Sequence, residues 1–142
     1  PSAEFIPELT HLEAIERGDY GAAVEAYEQV LLKAPADHEA RAALTQVKLL
    51  NRLQHVDAEA ARQRAAAEPM NPEAQFVVAD LDVSGGHVED AFLRLLDLFA
   101  ALDADDAQRA AVRERLVELF DVVGASDPRV AAARTRLANL LY

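Results

Sequence analysis

Apolar residues recur along this chain at helical spacing. Ala23, Tyr27, Val30 and Leu31 stand at i, i+4, i+7 and i+8, as do Ala91, Leu95, Leu98 and Phe99. That spacing places them on one buried stripe of a helix. Ala40, Leu44 and Val47 repeat the beginning of the pattern, and so do Ala74, Val78 and Leu81. No run alternates with period two for long enough to predict a strand. Glycine and proline, scarce and clustered, divide the chain into eight helical pieces. The first runs from about Phe5 to Arg17 and stops at Gly18. Asp19 caps a second that reaches Lys33 before Pro35. Asp37 opens a third that fades near Leu53, and Asp57 opens a short fourth ending at Glu68. Asn71 followed by Pro72, an N-cap with proline in the first turn, starts a fifth that ends at Gly85 and Gly86. The sixth spans about Val88 to Leu102 and the seventh about Asp106 to Val123, with Asp127 and Pro128 capping the eighth.

These pieces repeat. Pro35 and Pro69 are 34 residues apart, and Gly18 and Gly86 are 68 apart, twice that period. Ala40, Leu44 and Val47 recur as Ala74, Val78 and Leu81 after 34 residues, and the Ala23 stripe recurs as the Ala91 stripe after 68. A helix-turn-helix unit of this period is the signature of the tetratricopeptide repeat. The stretch G-D-Y-G-A-A-V-E-A-Y-E-Q-V-L-L-K-A-P, Gly18 to Pro35, resembles the second helix of that repeat. Ala23 lets two helices approach, Tyr27 fills the gap to the next repeat, and Pro35 ends the helix. The middle repeat is degenerate: Arg52 replaces the glycine, Asp57 the packing alanine and Ala61 the aromatic. Its second helix is therefore thin, with Ala58, Ala61 and Ala65 on one face. The first helix is offset by one residue, since Phe5, Leu9 and Leu12 precede Ala40, Leu44 and Val47 by 35. Val112, Leu116, Leu119, Phe120 and Val123 form a longer amphipathic helix, the capping element a stack of repeats needs. The expectation is an all-α, tetratricopeptide-like helical-hairpin solenoid of about eight helices. It is a single domain over residues 1–142, with repeats at about 3–36, 37–70 and 71–104 and a capping helix pair over 105–142.

Composition narrows the chemistry. The chain has 142 residues, 51% of them apolar and none of them cysteine. A disulfide framework, a thiolate zinc site and thiol catalysis are therefore excluded within these residues. Fourteen basic against 25 acidic side chains give a net charge of −11, which disfavours nucleic acid, itself one negative charge per ~1.7 Å of duplex. No stretch approaches the roughly 20 apolar residues of a membrane span. The chain begins at Pro1 without a methionine, and the expectation is a piece of a longer protein. Thirty alanines with 12 arginines and two lysines fit a GC-rich genome, although alanine is also the best helix former.

Candidate chemistry is sparse. His11, His38, His55 and His87 include no pair at i, i+3 or i, i+4 on one helix, as a metal site of convergent ligands would favour. Asp103, Asp105 and Asp106 mimic the start of a calcium loop without its glycine and final glutamate, and read better as caps of the seventh helix. Ser84, Gly85 and Gly86 lack the lysine of a phosphate cradle and read as a helix C-cap. Ser2, Ser84 and Ser126 stand beside no plausible base. No catalytic residue, metal or cofactor is predicted.

What remains is surface. Stacked helical pairs form a groove lined by the first helix of each pair. In this register the groove would display Glu39, Ala42, Gln46 and Leu49, then Glu73, Phe76, Asp80 and Val83, an apolar floor with acidic edges. The candidate protein-binding residues are Ala42, Gln46, Leu49, Phe76, Asp80 and Val83, unless Phe76 or Leu49 packs against the degenerate neighbour and closes the groove. Tetratricopeptide domains that clamp acidic chaperone tails use lysine, asparagine and arginine where this chain has Glu8, Leu12, Ala43, Glu73 and Val77. An apolar or basic ligand is expected instead. The last helix offers a second surface at Leu140, Leu141 and Tyr142, against the simpler reading of a cap docked on the seventh helix.

Two stretches resemble a particular family: N-P-E-A-Q-F-V-V-A-D-L-D-V-S-G-G-H-V-E-D-A-F-L-R-L, Asn71 to Leu95, and L-F-D-V-V-G-A-S-D-P-R-V-A-A-A-R-T-R-L-A-N-L-L-Y, Leu119 to Tyr142. They are similar to the C-terminal tetratricopeptide module of chaperedoxins, the YbbN/CnoX-type thioredoxin-fused co-chaperones of bacteria, and the composition points to an actinobacterial member. The resemblance implies a thioredoxin-like domain before Pro1, carrying any redox residues. It also implies cytoplasmic location, holding of unfolded clients, and transfer to chaperonin and Hsp70 systems. The alternative is a tetratricopeptide scaffold that orders or dimerises a larger protein.

Overall fold

The structure, a computed structural model, describes the backbone of residues 7–142 and side chains from Leu12 onward. Phe5 and the side chains of Glu8, Leu9 and His11 lie outside the described residues. Eight helices follow one another among those described, with no strand. They are α1 (Pro7–Glu16), α2 (Tyr20–Lys33), α3 (His38–Leu53), α4 (Ala58–Ala67), α5 (Pro72–Ser84), α6 (Val88–Ala101), α7 (Gln108–Val123) and α8 (Pro128–Leu141). The fold is all-α and tetratricopeptide-like. None of the helices is long and apolar enough to cross a membrane.

Local chemistry sets the boundaries. The carboxylates of Asp19, Asp37 and Asp57 accept from the backbone N–H three residues on, at 3.0–3.2 Å. Asn71 and Asp127, each before a proline in the first turn, accept from Glu73 N and Arg129 N. Ahead of α7, Asp106 accepts from Gln108 N at 2.8 Å, while the N-cap position itself is Ala107, which makes no side-chain cap bond. Each cap satisfies one of the donors that a helix start leaves unpaired.

Two helix ends share one turn geometry. After α1, Gly18 takes φ +73°, Gly18 N donates to Ile15 O and Asp19 N to Ala14 O. After α5, Gly86 takes φ +85°, Gly86 N donates to Val83 O and His87 N to Asp82 O. This pair of bonds around a left-handed residue is the Schellman ending. In the middle repeat, where Arg52 stands at the glycine's place, α3 runs on to Leu53. The left-handed residue there is His55, at φ +65°.

The chain divides into two compact units, residues 1–54 and 55–142, so the boundary falls inside the expected second repeat. In the first unit α3 packs back on α2. Ala14, Ala23, Tyr27, Val30, Ala40, Leu44 and Val47 form its core, and burial raises the Tyr27 hydroxyl pKa. In the second unit α5 is central, with α4, α6 and α7 packed on it. Phe92 and Phe120 meet edge to face at 5.0 Å, a favourable aromatic geometry. α8 packs on α6, so the last helix docks on α6 as well as reaching α7, where Arg134 lies 5.0 Å over the Phe120 ring.

Candidate functional site

α4 has ten residues, four fewer than α2 and α6. Its only buried residue is Ala65, while Ala61 is half-buried and Ala58 exposed. Such a thin helix shields its neighbours poorly. Between α4 and α6 lies a cleft of about 650 Å³, floored by α5. One wall is Arg62, Ala65 and Ala66 of α4, continued by Pro69 and Met70. The other is the face of α6 that carries Asp90, Leu93, Arg94, Asp97, Leu98 and Ala101, spaced so that they share one side of the helix. Gln75 and Asp82, two turns apart on α5, form the floor. Met70 and Leu93, large apolar side chains that line this one cleft, are 47% and 52% exposed.

The floor is ionic. Asp82 is buried and accepts from Arg62 Nη2 at 2.9 Å, while Arg94 Nε lies 4.0 Å from its other oxygen. Arg94 Nη1 donates to Gln75 Oε1 at 2.6 Å, and Gln75 Nε2 donates to the carbonyls of Ala65 and Glu68. Gln75 thereby satisfies carbonyls that the end of α4 leaves open, and Arg94 holds it there. Two guanidinium groups, one from each wall, share this carboxylate, while Asp90 and Asp97 of α6 line the same cleft. On the rim, Asp97 is engaged by Arg136 at 2.6 Å.

The residues expected to line a groove fall in both units. In the first, Ala42 and Gln46 are exposed and Leu49 is buried. In the second, Phe76, Asp80 and Val83 are all buried. Phe76 is 5% exposed, its ring 4.7 Å beneath the Arg115 guanidinium. Arg115 also donates to Asp80 at 3.0 Å and lies 3.7 Å from Glu118. At the chain's end Leu140 and Leu141 are half-buried and Tyr142 is exposed. The Arg109 guanidinium stacks 4.0 Å over Phe99 and donates to Leu140 O at 3.5 Å. His38 begins α3, His55 is exposed in the connection, and His87 is the N-cap position of α6 without a side-chain cap bond. Among the described residues no three His, Asp or Glu side chains converge as a metal site would require.

Arg62, Asp82, Leu93 and Arg94 lie on helix faces outside the expected groove, and Met70 lies in the turn between α4 and α5. A signal was present nonetheless. The run F-V-V-A-D-L-D-V in α5 is apolar on every side, so its two aspartates must be buried and paired.

Among known families, residues 51–142 match the one described as tetratricopeptide repeat. No curated protein and no solved structure matches the chain.

Proposed function

Because the chain belongs to the tetratricopeptide repeat family, whose stacked hairpins serve as binding surfaces, we propose that it is a non-catalytic module that binds apolar segments of other proteins. Its place in this reading is the C-terminal part of a YbbN/CnoX-type co-chaperone, behind a thioredoxin-like domain. There it holds unfolded clients in the cytoplasm and passes them to chaperonin and Hsp70 systems. The resemblance of Asn71–Leu95 and Leu119–Tyr142 supports the parentage. One observation carries the binding role: Met70 and Leu93 stand exposed on opposite walls of the cleft between α4 and α6. The exposed Ala42 and Gln46 of α3 and the end at Leu140, Leu141 and Tyr142 are further surfaces open to the same work.

The test is suppression of aggregation. The chain is mixed with a chemically unfolded test protein as denaturant is diluted, and light scattering is followed. Wild type lowers the scattering and Leu93→Asp, at a half-exposed position that tolerates a charge, lowers it much less. A wild-type chain that leaves scattering unchanged, or that sediments as a tight dimer with the cleft covered, would favour a scaffold instead.

A further inference from the structure

The geometry points to Arg109 as a latch: it ties the C-terminal turns of α8 to α6, and its release frees Leu137, Leu140 and Leu141 while the rest of the second unit stays folded. The latch concerns the end of α8 and does not rest on the protein-interaction reading.

The two helices that it ties run the same way. Glu89 of α6 and Arg129 of α8 line one crevice of about 330 Å³, and further along Asp97 of α6 accepts from Arg136 of α8. Neighbours met in the same order along both helices make the pair parallel. Parallel helices bring their C-termini to one end, where each carries about half a negative charge and unpaired carbonyls. That end calls for a cation, yet neither helix has a basic residue in its own last turn.

Arg109 supplies the cation from α7. Its Nε donates to Phe99 O at 3.2 Å and its Nη2 to Leu140 O at 3.5 Å, one carbonyl near the end of each helix. An arginine in the first turn of α7 stands at the unfavourable end of its own helix dipole. The negative ends of α6 and α8 offset that position. The hold is uneven. On α6 the guanidinium also lies 4.0 Å over the ring of the buried Phe99, whereas on α8 the contact is the longer of the two bonds. Arg109 therefore stays with α6 when α8 lifts.

The end of α8 is otherwise lightly held. Its buried residues are Val130, Ala133 and Leu137, and beyond them Leu140 and Leu141 are half-buried and Tyr142 exposed. Arg134, over the Phe120 ring, anchors the middle of the helix. The Arg136 and Asp97 side chains are 41% and 59% exposed, and ion pairs so open to water contribute little. Segments with few buried apolar contacts open at a lower free energy than the core. Leu137, Leu140 and Leu141, at i, i+3 and i+4, share one face and are bared together.

Amide hydrogen exchange of the intact chain, followed by mass spectrometry, tests the latch. Arg109→Gln is expected to speed exchange over Leu137 to Tyr142 about tenfold, as loss of a charge-assisted hydrogen bond to a local segment does, and to leave α5 within about twofold of wild type. Arg109→Lys keeps the charge and the stem over Phe99 without the forked donors, and gives a smaller rise in the same segment. Arg136→Gln, which removes the exposed ion pair, moves that segment less than Arg109→Gln does. Exchange at the end of α8 that is unchanged in Arg109→Gln overturns the inference. So does a rise of equal size in α5, or an Arg109→Gln chain that no longer folds, because either makes Arg109 part of the general core. A larger effect from Arg136→Gln than from Arg109→Gln also overturns it, since the hold on α8 would then be the ion pair.

Discussion

Asp80 and Asp82 sit two residues apart on α5, which turns their side chains about 200° from one another. They cannot share a cation, and they do not. Asp82 faces Arg62 and Arg94, and Asp80 faces Arg115 from α7. A buried carboxylate that loses an arginine partner costs more than that pair contributes, because part of its charge is then uncompensated out of water. Arg115→Met is therefore expected to lower the unfolding free energy by about 3 kcal/mol, measured by urea denaturation. Adding Asp80→Leu to it should recover most of that loss. A single variant as stable as wild type would show that Asp80 does not depend on Arg115. The Asp127 carboxylate is different, since it is only partly buried. Side-chain and backbone donors of Arg129 pull its pKa from 3.8 to about 2. A carboxylate depressed on folding adds stability that is present above its unfolded pKa and lost as pH falls through the folded one. Melting temperature should therefore fall between pH 4 and pH 2, and the slope should be shallower in Asp127→Asn. The aspartate and asparagine caps were legible residue by residue, because a cap speaks only to its own first turn. Partners of Asp80 and Asp82 such as Arg62, Arg94 and Arg115 were not, because they come from other helices.

At the level of elements, the 34-residue period shows itself most clearly in its turns. Gly18 and Gly86 end α1 and α5 with the same bonds and the same left-handed backbone. A Cβ placed on either would meet nothing within 4 Å, so the cost of substitution is conformational alone. Gly86→Ala is expected to cost about 1 kcal/mol. His55→Gly should gain no more than that, because relief of the left-handed strain is offset by a more flexible unfolded chain. Urea midpoints of the two variants check both signs. The loss of glycine at 52 predicted a degenerate turn. It did not predict that the helix would run on and hand the left-handed position to His55, since that depends on where the chain next finds a partner for its carbonyls. The thinness of α4 was legible from its alanines. That its thinness opens a cleft against α6 was not, because an absent side chain leaves no mark until its neighbours are in place.

Over the molecule as a whole, each unit has its own core, and the second is organised around α5. Phe120 is fully buried and meets Phe92 edge to face. Phe120→Ala is expected to cost about 3–5 kcal/mol and to speed amide hydrogen exchange across α5, α6, α7 and α8 together. Faster exchange confined to α7 would mean that the second unit is not one cooperative body. By itself the sequence determined eight helices, most of their ends, the repeat that orders them and the alanines at their contacts. All of these follow from spacing, capping and backbone freedom within a few residues, or from the same short pattern recurring. Tertiary structure alone decided that Phe76 and Asp80 lie under Arg115, that α8 packs on α6, and that the exposed Met70 and Leu93 line one cleft with Asp82 and its two arginines. A helix apolar on every side declares that it is buried without declaring which neighbour covers which face, and only long-range packing makes that choice.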